Sequence, residues 1–372
     1  MKTSPQVSDY FSHAYRDARR RLLAAASGLR NRHGVMIDSR SIGARGPEGE
    51  TLALDWIQFG ARRPRRVVVL SSATHGVEGF LGSALQLATV HRLLPSLRLA
   101  SDQAVVMQHA NNPYGFAWLR RVNESNVDLN RNFVAHFDPT RCNEGYEDLY
   151  DALNPTDLDP DNEALRWASI ARYAEARGDR AFQQAVSEGQ YKYPQGLQFG
   201  GQAPAASRRA LEALVAEHLA DADRIAWLDI HTGLGESGAC ELISGASRDS
   251  APFAAAREVW GESLKSAASG DSVSTPLNGL MDVGLASVVP ARARFAFAVA
   301  EYGTYPINRV FSAFRADNWL HQFGDPTNPA EPRTRTIKAE ILEAFRPDDE
   351  HWRRTVIAHG LDLMQRALSM RP

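Results

Sequence analysis

Four short apolar runs, at residues 67–71, 104–107, 225–230 and 295–300, limit what this chain can fold into more than any other feature. Each is a continuous run rather than an alternation, the pattern of a strand covered on both faces. Helical patterns separate them, at residues 79–94 and 205–220. Strands alternating with helices build a mostly parallel sheet. The expected fold class is therefore α/β, with a mixed, mostly parallel central sheet and helices on both faces. In open sheets of this kind ligands bind beyond the carboxyl ends of the strands. Residues 51–59 alternate apolar and polar positions imperfectly, as a half-buried or edge strand does. Residues 1–32 read as a charged amphipathic helix with Phe11, Tyr15, Leu22 and Leu23 near helical spacing, and residues 351–370 as a closing helix.

Residues 135–201 break this rhythm. Residues 154–162 (NPTDLDPDN) are turn chemistry, residues 195–202 carry three glycines, and residues 163–187 are helix-like. We read a helical subdomain or lid inserted into a single domain that spans residues 1–372. That length allows a sizeable core.

The formal net charge is -2, with acids and bases mixed throughout. Neither a nucleic acid nor a membrane is then an expected partner, and the arginines at residues 16–21 and 62–66 read as solvated faces. No run of about 18 apolar residues occurs, and residues 1–30 lack the apolar stretch of a secretory signal. Cys142 and Cys240 are far apart and form no CxxC, which fits a reducing cytoplasm and leaves their pairing open. A homo-oligomer is compatible with this composition.

Four islands at the ends of the apolar runs carry the chemistry. His75-Gly76-Val77-Glu78 offers two ligand-type side chains three residues apart, in a loop of small residues that lets both turn toward one ion. Alone it reads more readily as a surface or capping pair. Asp128-Leu129-Asn130-Arg131 follows Arg120-Arg121. One arginine near a metal can hold an oxyanion, and another beside an asparagine can clamp a carboxylate; an ion pair with Asp128 is the structural alternative for Arg131. Asp229-Ile230-His231 places a histidine where a buried strand breaks into a glycine loop. Glu301 closes the last apolar run, where a carboxylate is costly unless paired or functional, and apolar surroundings raise its pKa toward that of a general base. Two histidines, one glutamate and an open fourth position make a catalytic zinc site.

The order HxxE, Arg, DxNR, strand-end His and strand-end Glu, with residues 112–133 (NPYGFAWLRRVNESNVDLNRNF) as its most specific stretch, resembles the M14-like zinc metallocarboxypeptidases. Their relatives, the succinylglutamate desuccinylases and aspartoacylases, are included in the likeness, and a bacterial branch of unknown function, DUF2817, is the nearest match. The resemblance covers residues 67–305. It implies one zinc ion held by His75, Glu78 and His231, with Glu301 as general base and Arg121 as the oxyanion stabiliser. It also implies Asn130 and Arg131 as the carboxylate clamp and Asp128 as the acid that orients a ligand histidine. The implied function is hydrolysis of an amide bond next to a free carboxylate, on a short peptide as a carboxypeptidase. Deacylation of an N-acyl amino acid is the alternative, and a non-catalytic carboxylate-binding module on the same fold is the third reading. The chain departs from digestive carboxypeptidases in having no tyrosine between His231 and Glu301, and in the long insertion between His75 and His231.

Overall fold

In a computed structural model, which describes residues 6–138 and 140–369, the apolar runs become the middle of one sheet. Its strands are β1 (Val35–Arg45), β2 (Thr51–Gly60), β3 (Arg66–Ser71), β4 (Gln103–His109), β5 (Arg224–Gly233), β6 (Cys240–Ser244), β7 (Lys265–Ser266) and β8 (Arg294–Gly303). They lie in the order β1-β2-β4-β3-β5-β8-β6-β7. The central four, β4, β3, β5 and β8, run parallel; β2 and β6 flank them antiparallel.

Both faces of the central strands are covered, and for that reason their sequences do not alternate. Val68, Leu70, Ala226, Leu228, Ile230, Ala298 and Ala300 pack on one side with Leu85, Phe253, Val356 and Met364. These last four belong to the helices Gly79–Arg92, Ala251–Trp260 and Glu350–Leu368. Val67, Val69, Val106, Trp227 and Phe297 pack on the other with Leu211, Leu214, Met281 and Leu285, from the helices Ala206–His218 and Met281–Ala286. Burying one such side chain fully contributes about 1.5–3 kcal/mol.

Three expectations are corrected. Residues 51–59 are no edge: β2 lies between β1 and β4 and is buried almost throughout, because Asp55 and Gln58, which gave the imperfect alternation, find partners in Arg19 and Trp56. β1, β6 and β7 are additional strands that the apolar pattern does not mark. The first stretch is a single 3-10 turn at Ser8–Tyr10 and a helix at Tyr15–Gly28; residues 1–5 lie outside the described residues. Among those described, no helix is long and apolar enough to cross a membrane, and Cys142 and Cys240 are both free.

Within residues 135–201 the helices are Glu144–Asp148, Tyr150–Leu153, Pro160–Arg177 and Asp179–Ser187. Asp159 caps the third by accepting the N–H groups of Asp161 and Asn162, and Gly178, at φ 89°, separates the last two. Tyr146, Leu153 and Ile170 share one apolar cluster with Phe314, Ile341 and Phe345, so the segment is anchored to the helices Ile307–Phe323 and Pro332–Phe345.

Candidate active site

The site forms where β3 and β5 end. Beyond β3 the chain turns through His75 into a 3-10 turn, Gly76–Glu78, before the helix that starts at Gly79. A Cβ on Gly76 would stand 2.0 Å from the Gly115 carbonyl carbon, so only glycine lets this turn lie against the 113–117 segment. In β5, Asp229 and His231 are two residues apart and share a face. His231 is the register partner of Glu301 in β8.

His75, Glu78 and His231 are all buried, and each offers one ligand atom within 4.8 Å of the others. His75 Nδ1 lies 2.9 Å from Glu78 Oε1 and 3.1 Å from His231 Nδ1, and His231 Nδ1 lies 3.0 Å from Glu78 Oε2. Ligand atoms on a tetrahedral zinc with ordinary bond lengths are separated by about 3.3 Å. The outer ring nitrogens both meet acids: His231 Nε2 lies 2.6 Å from Asp229 Oδ2, and His75 Nε2 lies 3.2 Å from Asp128 Oδ1. When both Nδ1 protons are released and both Nε2–H groups donate outward, two imidazole lone pairs and the Glu78 carboxylate, which also accepts from Arg121 Nη1 and the Thr232 N–H, face one point, an arrangement that a cation completes. The donor set and spacing therefore fit zinc. Asp38, Glu217 and His218 form a second cluster of ligand types, but Arg40 bridges its two acids.

Asp229 is itself held by Ser71 Oγ at 2.6 Å and Thr74 Oγ1 at 2.8 Å. Its role was not read from the sequence, although an acid two residues before a strand histidine is on the same face and is the available signal. Burial disfavours the charged forms of Glu78 and His231. The surrounding opposite charges win: the two histidines hold Glu78 below the usual carboxylate range, and Asp229 with Glu78 raises His231 well above an ordinary histidine.

Arg121 enters the site and Arg120 does not. Arg121 donates to Glu78 Oε1 and to Asp128 Oδ2, each at 3.0 Å, and its Nη2 lies 2.8 Å from His75 Nε2. Asp128 and Arg121 thus both approach the same ring nitrogen. In the Nδ1–H tautomer of His75 the arginine is its partner, and in the Nε2–H tautomer Asp128 is. Arg120 instead reaches Asp317.

Glu301 is 8% exposed, and its Oε1 accepts the Leu234 N–H at 2.9 Å. Burial, then the charge of Glu78, pushes its pKa up to about 7. Asn130 turns its Oδ1 to the Met281 N–H at 2.9 Å. Arg131 is buried, with Nε on the Ser187 carbonyl at 2.8 Å and Nη1 on the Asn130 carbonyl at 2.9 Å. Among the described residues no carboxylate forms an ion pair with it, so the ion pair with Asp128 that the sequence left open does not form. Residues of the 135–201 segment line this arginine, with Gly189 against its side chain and the Tyr191 hydroxyl on its carbonyl. Arg180, Gln183 and Gln184 tie the same segment to the carbonyls of residues 272–276. Tyr302, just after Glu301, is buried and meets His359 at 3.2 Å, while Tyr305 bonds Glu343.

Residues 11–359 match the family model described as a protein of unknown function, DUF2817. No curated protein matches the sequence. Among solved structures the chain is similar to carboxypeptidase A of Helicoverpa armigera, at 14% identity over 91% of this chain and 75% of that one, with a TM-score of 0.49. It is similar to a metallo-carboxypeptidase of Burkholderia cenocepacia at 12% identity, covering 93% and 70%, with a TM-score of 0.39. An aspartoacylase family protein of Mesorhizobium loti matches at 13% identity, covering 78% and 67%, with a TM-score of 0.38.

Proposed function

We propose, for a chain that belongs to the DUF2817 family, a zinc-dependent hydrolase that cleaves an amide bond next to a free carboxylate. The observation that carries this reading is the convergence of His75 Nδ1, His231 Nδ1 and Glu78, with Asp128 and Asp229 behind the two rings. One zinc ion per chain would be held there, and when bound it supplies a Lewis acid for the scissile carbonyl and lowers the pKa of water.

The remaining chemistry belongs to the chain. Glu301, with a pKa near 7, takes the proton of the attacking water and passes it to the leaving amine. Arg121 uses three of its five N–H donors within the site at most, and the others remain for the oxyanion that forms as the carbonyl is attacked. Arg131, a buried cation without an ion-pair partner among the described residues, takes the substrate carboxylate, with Asn130 beside it.

The substrate is a short peptide that loses its C-terminal residue. An N-acyl amino acid is the second reading, favoured by the lack of a tyrosine between His231 and Glu301 and by the presence of the inserted segment beside Arg131. Free cysteines suit a cytoplasmic enzyme. Glu301→Gln tests the assignment: zinc should be retained at one per chain while turnover falls by several orders of magnitude. An unchanged rate would remove Glu301 from the chemistry.

A further inference from the structure

We propose that Lys338 is a positioning residue, holding the backbone strap of residues 118–121 and through it both the His75–Glu78 turn and Arg121. The inference rests on the metal-hydrolase reading for its consequence in catalysis, but not for its geometry.

Lys338 lies on the helix Pro332–Phe345, with 14% of its side chain exposed. Its ammonium donates to Asp317 Oδ1 at 2.6 Å and to the Trp118 carbonyl at 2.8 Å, and it lies 3.4 Å from the Leu119 carbonyl. His321 Nε2 is a further neighbour at 2.8 Å. Asp317, 1% exposed, also takes Arg120 Nε at 3.3 Å, and Arg120 Nη2 donates to Asn126 Oδ1 at 3.0 Å. A lysine, an arginine, an aspartate and a histidine are therefore gathered under the site, apart from the candidate ligands.

Stability alone does not call for such a cluster, because buried ion pairs can often be exchanged for apolar groups of similar volume without loss. What the cluster grips is backbone. Leu119 has a φ of 51°, a left-handed conformation that residues with a Cβ seldom adopt. Immediately after it, the Arg120 carbonyl accepts the Val77 N–H at 2.8 Å and the Arg121 carbonyl accepts the Gly76 N–H at 3.0 Å. Those two N–H groups belong to the turn that joins His75 to Glu78. The Arg121 side chain leaves the same strap for Glu78 and Asp128. The strap thus sets the ligand turn and the arginine together, and Lys338 fixes the strap where its backbone is least favourable. Displacement of reacting groups by about an ångström is enough to cost a large factor in rate.

The test is Lys338→Met, which leaves Asp317 its Arg120 partner and so no unpaired buried acid. Amide hydrogen exchange of residues 74–79 should quicken at least tenfold while the amides of β3 and β5 are unchanged. With cobalt(II) as the probe metal, the visible spectrum should change. Against a short peptide, kcat should fall tenfold or more with KM within threefold. A folded variant with wild-type exchange, spectrum and kcat would overturn the proposal. Should Lys338→Met fail to fold, Asp317→Asn, which keeps the side-chain shape and loosens the hold on Lys338, is read by the same outcomes. A wild-type chain that takes up no cobalt would sink the metal reading instead, and the exchange comparison would still decide on the strap.

Discussion

Asp229 shows how a single buried acid can organise a candidate metal centre. It accepts from Ser71 and Thr74 and meets His231 Nε2, which leaves Nδ1 turned inward. Asp229→Asn should lower zinc affinity by about 10–100-fold, measured by chelator competition; unchanged affinity would make the acid merely structural. Arg131→Ala should raise KM for substrates with a free carboxylate by roughly 1.5–3 kcal/mol, the net value of a charged hydrogen bond, and leave amidated analogues nearly unaffected. Equal loss on both would make Arg131 a packing residue. His109 belongs to the same scale. It is fully buried, its Nδ1 meets Gln86 at 3.0 Å, and burial pulls its pKa down to about 4. The unfolded chain binds that proton near pH 6.5, so stability falls as pH drops from about 6.5 to 4, by roughly 3 kcal/mol from this group. His109→Leu should remove that part of the acid sensitivity in denaturant titrations, and an unchanged pH slope would contradict it.

At the scale of elements, the parallel core was legible because strands buried on both faces write themselves as unbroken apolar runs. β2 was legible as a strand but not as an interior one, since Asp55 is paired by an arginine from a helix distant in sequence. β7 is only two residues long, and β6 (CELIS) is neither an unbroken apolar run nor a regular alternation, so no pattern announces either of them. Of the site, His75, Glu78, Asp128, His231, Arg121 and Glu301 were legible as residue types in order, and the fold brings them to one end of the sheet. In the sequence Arg121 is preferred to Arg120 on the family resemblance alone; the physical reason, that Arg120 leaves the strap toward Asp317, is a contact of the chain's last third. Gly76→Ala tests the turn as an element. Its Cβ would collide with the backbone at Gly115 and Phe116, so metal affinity should fall at least tenfold while the circular dichroism of the helices persists. Wild-type affinity would mean that the turn yields without moving its ligands.

For the molecule as a whole, the long insertion is the part that sequence pattern describes least. Its helices are readable from caps and breakers such as Asp159 and Gly178, but its docking onto Arg131 and onto residues 272–276 is tertiary. Those bonds run from side chains to carbonyls and place the segment beside the proposed carboxylate pocket. The most direct measurement of the central claim is metal content by elemental analysis of chain purified without chelator. It is coupled to release of free amino acid from matched panels of short peptides and N-acyl amino acids. About one zinc per chain with turnover on a carboxylate-bearing panel is the predicted result. A chain that binds no zinc even when it is supplied, and releases nothing from either panel, would contradict the account.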